Sequence, residues 1–283
     1  MNSSKKDCHF VSTPLQESIY VENNFAGISS PKTHLLAVHG LGTYSGWFKD
    51  LLDLASEKEF GSTSFDLPGF GRSGQRGEIQ SYKSWTEALK TVWDETHLKL
   101  DQAETFLLGH SLGAIVALAS LQELDPKPKG LILTAPGFMA NPKSWDIVEF
   151  VLPTLFKALN DSPDKISFPF PPEVYDSIKR GLHQVGLLTP EVKPRLLLEI
   201  LNLSGIAWLA CNKFHKIPLL MVLPDQDSFC LSGVSKLFFN LCNSQHKLLK
   251  LLPQPGHDLF VLPQAQEVNH LIVNWIDSLK TTV

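Results

Sequence analysis

The chain has 283 residues, long for one domain and short for two, because single cores stop growing at roughly 250 to 300 residues. Hydrophobic residues make up 43% and charged residues 19%, against roughly 25% charged in an average soluble protein, so a core can be filled and disorder is excluded. The 25 Lys and Arg against 29 Asp and Glu leave a net charge of −4, and no basic run exceeds Lys5-Lys6, which argues against a nucleic-acid-binding face.

From the N-terminus, residues 1–7 lead into no apolar secretory segment, and no apolar run of ~18 residues able to span a bilayer is expected. Cys8, Cys211, Cys230 and Cys242 are too scattered for a disulfide framework and read as reduced thiols of a cytoplasmic protein. Short apolar runs then alternate with longer amphipathic ones. Strands are expected at 9–13, 18–25 and 33–39, a helix at 44–58, a strand at 60–66 and a helix at 81–100. A strand at 104–109, a helix at 112–124 and a strand at 129–135 follow. Beyond 213 come a strand at 216–223, a helix at 232–242, a strand at 247–252 and a last helix at 264–281. This alternation predicts an α/β fold with a mostly parallel eight-stranded sheet flanked by helices.

Between 141 and 213 the alternation stops, and Pro153, Pro163, Pro169, Pro171, Pro172, Pro190 and Pro194 divide the segment into short helical pieces. It reads as a helical lid inserted into a core made of 1–140 and 214–283. Within it, 144–160 is apolar around most of a helical circumference, which fits packing onto the body.

Chemistry enters at Gly109-His110-Ser111-Leu112-Gly113, a Gly-x-Ser-x-Gly at the end of an apolar strand and the start of a helix. This is the arrangement of a nucleophile elbow, in which glycines on either side allow a sharp turn that exposes the serine oxygen. A serine hydroxyl needs a base, and the base needs an orienting acid. In this arrangement they follow in the order Ser, acid, His. His257 lies in a loop after a late strand, whereas His246 precedes that strand and His270 sits in the final helix. After the strand 216–223 stand Asp225 and Asp227 as candidate acids; Asp227 is preferred, because Asp225 fits the turn after Pro224. Asp258 adjoins the histidine in sequence and suits a surface or loop-anchoring role. The oxyanion of a tetrahedral intermediate needs two donors, expected from the backbone N–H of Leu112 and, in the loop His39-Gly40-Leu41-Gly42, of Leu41.

Gly69-Phe70-Gly71-Arg72-Ser73-Gly74 matches a dinucleotide fingerprint, but no helical pattern opens at these glycines, so a structured loop is expected. With neither a phosphate loop nor a His-Glu-x-x-His helix, no cofactor and no metal are expected.

These residues resemble an α/β-hydrolase. The string Gly69-Phe70-Gly71-Arg72-Ser73-Gly74-Gln75-Arg76-Gly77-Glu78-Ile79-Gln80-Ser81-Tyr82 is similar, more narrowly, to the monoacylglycerol lipase and lysophospholipase group. Thr43 stands where that group usually has Glu, and Pro224 where it usually has Gly. The resemblance implies the α/β-hydrolase fold with a helical lid, Ser111, Asp227 and His257 as catalytic residues, and Leu41 and Leu112 as the oxyanion hole. It also implies a serine hydrolase that cleaves carboxylic esters with a single acyl chain through an acyl-enzyme. The partner is then a small-molecule acyl ester, and 144–160 acquires a second reading, as lining of an acyl channel or a peripheral contact with membrane lipid. Other chemistry on the same residues (aminopeptidase, carbon–carbon bond hydrolase, thioesterase or acyltransferase) and a non-catalytic binding protein stay open.

Overall fold

Where strands are buried on both faces they read as unbroken apolar runs, and four such runs build the centre of the sheet. The computed structural model describes residues 7–25, 30–100, 102–143, 146–168, 170, 172–179, 184–213, 216–261 and 265–280. In chain order its N-terminal part contains β1 (Asp7–Ser12), β2 (Ser18–Asn24), β3 (Thr33–Val38), α1 (Lys49–Glu57), β4 (Gly61–Phe65), α2 (Lys83–Lys99), β5 (Glu104–His110), α3 (Leu112–Ser120) and β6 (Gly130–Thr134). There follow α4 (Leu152–Leu159), β7 (Ile166–Ser167), α5 (Pro172–Lys179), β8 (Glu191–Val192) and α6 (Pro194–Trp208). The chain closes with β9 (Leu219–Gln226), α7 (Ser232–Leu241), β10 (Lys247–Pro255) and α8 (Ala265–Lys280).

Eight strands form one sheet in the order β1-β2-β4-β3-β5-β6-β9-β10. β1 and β2 join it antiparallel, and the six strands from β4 to β10 are parallel. Every residue of β3 and β6 is buried, as the central place of these strands requires. β1 alternates exposed and partly buried positions, which suits an edge strand with one wet face. α1 packs with α8 and α2 with α3, while Trp275 of α8 lies edge-on to Phe106 of β5 at 6.2 Å. All eight expected core strands and all five expected core helices are present, most displaced by a few residues at their ends.

The segment between β6 and β9 is less purely helical than the sequence suggests. β7 and β8 pair antiparallel as a two-residue ribbon, too short for any periodicity to reveal. The expected helix 144–160 is a π-helical turn, Ile147–Val151, that runs into α4; Ser144 and Trp145 lie outside the described residues.

A second departure concerns membranes. Among the described residues, Pro194–Asn212, which is α6 with its 3₁₀ extension, has 19 residues, a mean hydropathy of 1.3 and one third (33%) of its window buried. By length and composition it would suffice to cross a bilayer, contrary to the sequence expectation. That expectation looked for an unbroken apolar run, and Arg195 and Glu199 interrupt this one. Here α6 packs against α3 and α4, and Glu199 is buried, accepting the backbone N–H of Tyr82 at 3.0 Å and pairing with Arg195 at 3.2 Å.

Candidate active site

β5 ends and α3 begins within one residue, and that residue is Ser111, at φ 53° and ψ −113°. A positive φ on a residue with a Cβ is strained, and the surrounding packing holds it. The N–H of Ser111 donates to Thr134 O at 2.9 Å, and its carbonyl accepts from Gly137 N at 3.1 Å. The flanking glycines are there because nothing larger fits. A Cβ on Gly113 would lie 2.1 Å from Val38 O, and one on Gly109 would lie 2.4 Å from Gly113 O.

Three elements bring the predicted residues together. The Ser111 hydroxyl donates to His257 Nε2 at 2.8 Å, from the loop after β10. On the other side of the ring, Nδ1 lies 3.0 Å from both carboxylate oxygens of Asp227, which follows β9. A carboxylate accepts only, so Nδ1 carries the proton and Nε2 presents its lone pair to the serine. Asp227 Oδ1 also accepts the N–H groups of Phe229 and Cys230, each at 2.7 Å, which fixes the carboxylate. All three side chains are buried.

The loop carrying Leu41 approaches the serine closely, since a Cβ on Gly40 would lie 3.2 Å from Ser111 Cβ. Leu112 is the first residue of α3, where a backbone N–H has no partner within its helix. Leu41, Ser111 and Leu112 border one cavity of about 340 Å³.

None of the rejected candidates takes the place of His257 or Asp227 beside Ser111. His246 and His270 are exposed. Asp225 is still within β9 rather than in a turn, exposed, and 3.1 Å from Lys236 Nζ, because the strand runs three residues further than its apolar core. Asp258 is not at the surface: it is buried and accepts from Trp47 Nε1 at 2.5 Å and from Phe260 N at 3.1 Å, which anchors the loop that carries His257.

Sequence reasoning missed two supports of the site. His39 is buried, donates from Nδ1 to Gly40 O at 2.8 Å and accepts Leu67 N–H on Nε2 at 2.9 Å, so it braces the Leu41 loop in neutral form. Asp66 accepts the N–H groups of Ser45 at 2.6 Å and Arg72 at 2.7 Å, and a Cβ on Gly71 would collide with its carboxylate at 2.3 Å. The glycine-rich string is therefore a loop wound on a buried carboxylate. No helix opens at its glycines; α2 begins only at Lys83.

Comparison with known proteins bears on what this arrangement is. The family model described as "Serine aminopeptidase, S33", a hydrolase family, matches residues 29–263. The chain belongs to this family. A phospholipase of Bacillus subtilis is 28% identical over 208 residues, covering 70% of this chain and 76% of that one. The monoglyceride lipase of Rattus norvegicus is 25% identical over 219 residues, covering 70% and 72%. Among solved structures, a monoacylglycerol lipase of Paleococcus ferrophilus superposes with a TM-score of 0.78 at 22% identity, covering 92% of this chain and 99% of that one. A soluble variant of the Saccharomyces cerevisiae monoglyceride lipase superposes with a TM-score of 0.81 at 17% identity, covering 98% and 97%. The fold is that of the α/β-hydrolases, and within them the chain is of the monoglyceride lipase and lysophospholipase type that its sequence resembles.

In this α/β-hydrolase three buried histidines, His34, His39 and His110, are held neutral. Burial pushes the pKa of His34 down from 6.5 to about 3, its ring bonded to Thr63 Oγ1 at 2.9 Å. Burial lowers His39 against the pull of Asp66, and burial followed by the neighbouring His257 sets His110 well below the usual range. In the unfolded chain these rings take up protons below about pH 6.5, whereas the folded His34 resists until about 3. The stability is thus complete above that window and declines as the pH falls through it. The melting temperature is expected to drop steadily from about pH 7 to pH 4.5, and a flat profile would contradict the buried neutral histidines.

Proposed function

We propose that this α/β-hydrolase is a serine hydrolase of carboxylic esters with a single acyl chain, of monoacylglycerol or lysophospholipid type. Ser111 attacks the acyl carbonyl while His257 takes its proton, and Asp227 keeps the ring in the tautomer that can do so. The N–H groups of Leu41 and Leu112 receive the oxyanion, a contribution of typically about 3 to 4 kcal/mol per donor in such sites. The alcohol leaves with the proton from His257, and water then releases the fatty acid from the acyl-enzyme.

The observation that carries this reading is the cavity of about 340 Å³ that opens directly onto Ser111. Phe138, Val151, Leu155, Leu197, Ile200 and Leu201 line it, an apolar environment suited to an acyl chain and contributed largely by the segment 141–213, which we take as the lid. The family description names an aminopeptidase, whose substrate presents an α-ammonium. Among the described residues no Asp or Glu lines this cavity, so such a charge would be buried there without a partner, and the ester reading is the better fit. Leu152, Phe156 and Leu159 of α4 are 54%, 70% and 75% exposed beside it, which fits peripheral contact with a lipid surface as the source of substrate.

Each methylene buried is worth roughly 0.8 kcal/mol, so kcat/KM is expected to climb from two-carbon to ten-carbon acyl esters of one alcohol by about 100-fold or more. Nitrophenyl esters of graded chain length measure this directly, and equal rates on the shortest and longest would refute the acyl-cavity reading. Because His257 has to be neutral to act as base, hydrolysis should also weaken on acidification.

A further inference from the structure

Ser111 is bordered by two cavities of very different size. The large one touches Ser111, Leu41 and Leu112 but not His257. The other, about 20 Å³, is lined by Ser111 and His257 together with Thr43, His110, Phe168, Phe170, Val174 and Asp258, among others. His257 Nε2 has to hand its proton to the departing oxygen, so the alcohol part of an ester belongs on the His257 side. The acyl part, whose carbonyl oxygen faces the two backbone donors, belongs in the large cavity. A space of about 20 Å³ is only slightly more than one water needs.

The wall that makes this side small is built and fastened. Phe168 and Phe170 meet edge to face at 5.1 Å and rest on the positive-φ glycine of the Leu41 loop, where a Cβ on Gly42 would lie 2.6 to 2.8 Å from their rings. Both rings are buried. Phe168 N–H donates to Pro190 O at 3.2 Å beside the β7–β8 ribbon, and Thr189 N–H donates to Gly42 O at 2.9 Å. The ribbon is tied in turn to the glycine-rich loop by Lys193 N–H to Gly77 O at 2.7 Å and by Lys193 Nζ to Glu78 at 2.6 Å. The lining is also hostile to anions. Among the described residues it contains no Lys or Arg, and it includes the buried carboxylate of Asp258.

We propose that Phe168 and Phe170 set the alcohol specificity of this enzyme, restricting the leaving group to small uncharged alcohols and excluding phosphodiester headgroups. This rests on the ester-hydrolase reading above and narrows it: methyl and ethyl esters of a medium-chain acid are preferred, glycerol is near the limit, and glycerophosphocholine is beyond it.

The test uses the full chain and four decanoyl esters, of methanol, ethanol, glycerol and glycerophosphocholine, with fatty-acid release read as kcat/KM. The wild type is expected to favour the methyl over the glycerol ester by about tenfold and over the glycerophosphocholine ester by about 100-fold, the scale on which pockets reject excess bulk. In Phe170→Ala, and in the gentler Phe168→Leu and Phe170→Leu, the ratio of glycerol-ester to methyl-ester kcat/KM is expected to rise by about tenfold and about threefold respectively. Wild-type values within threefold of one another across the four esters would overturn the proposal, as would a ratio unmoved in the folded Leu variants. Hydrolysis of none of the four, with no labelling of Ser111 by a fluorophosphonate, would instead overturn the ester-hydrolase reading and this proposal with it.

Discussion

Replacement of Ser111 by alanine is expected to lower kcat on a decanoyl ester by about 10⁴-fold or more and to abolish labelling by a fluorophosphonate, with the melting temperature nearly unchanged. The size of the effect follows from how the residues act as a unit. In the proposed mechanism, removing the hydroxyl that bonds His257 at 2.8 Å leaves the base no proton to take, and the Asp227 contacts behind it orient a ring with nothing to activate. The backbone of residue 111 keeps its bonds to Thr134 and Gly137, so the turn itself should survive. A variant that still turned over at wild-type rate would show that another group attacks, and would leave Ser111 as a residue of the helix start alone.

The second large effect is structural. Gly113→Ala puts a Cβ 2.1 Å from Val38 O, and this atom belongs to the backbone of a central strand that cannot yield. α3 must then move off the sheet and carry Ser111 with it. Destabilisation of about 3 kcal/mol is expected, at the upper end for overpacking, together with loss of hydrolysis. Gly205→Ala is the matched control: it lies on an exposed position of α6 with no atom near its would-be Cβ, and should be neutral or stabilising by up to about 1 kcal/mol. Thermal melts of the two variants side by side decide the matter, since equal curves would mean that the close approach of α3 to β3 is not tightly packed.

Which parts of this protein could be read from its residues follows from the range of the interactions that fix them. Runs such as Leu35-Leu36-Ala37-Val38 and Leu219-Leu220-Met221-Val222 are apolar at every position because both faces are covered, and that pattern is local to each strand. The elbow was legible for the same reason: its glycines serve a turn five residues long. Asp227 and His257 could be chosen because the sheet order delivers loops to one edge in a set sequence.

The burial of Asp258 depends on contacts of longer range. Nothing near it in the chain marks it as buried; its partner Trp47 lies 211 residues away. The β7–β8 ribbon was equally silent, because two-residue strands carry no period. By itself the sequence determined the α/β alternation and the identity of the Ser, Asp and His that meet, since each depends on short-range pattern or on topology. Only the tertiary structure decided the unequal space on the two sides of Ser111. That space is what remains between side chains brought together from the Leu41 loop, the β6–β9 segment and the His257 loop. Such a volume is a property of packing between distant segments, and no segment carries it alone.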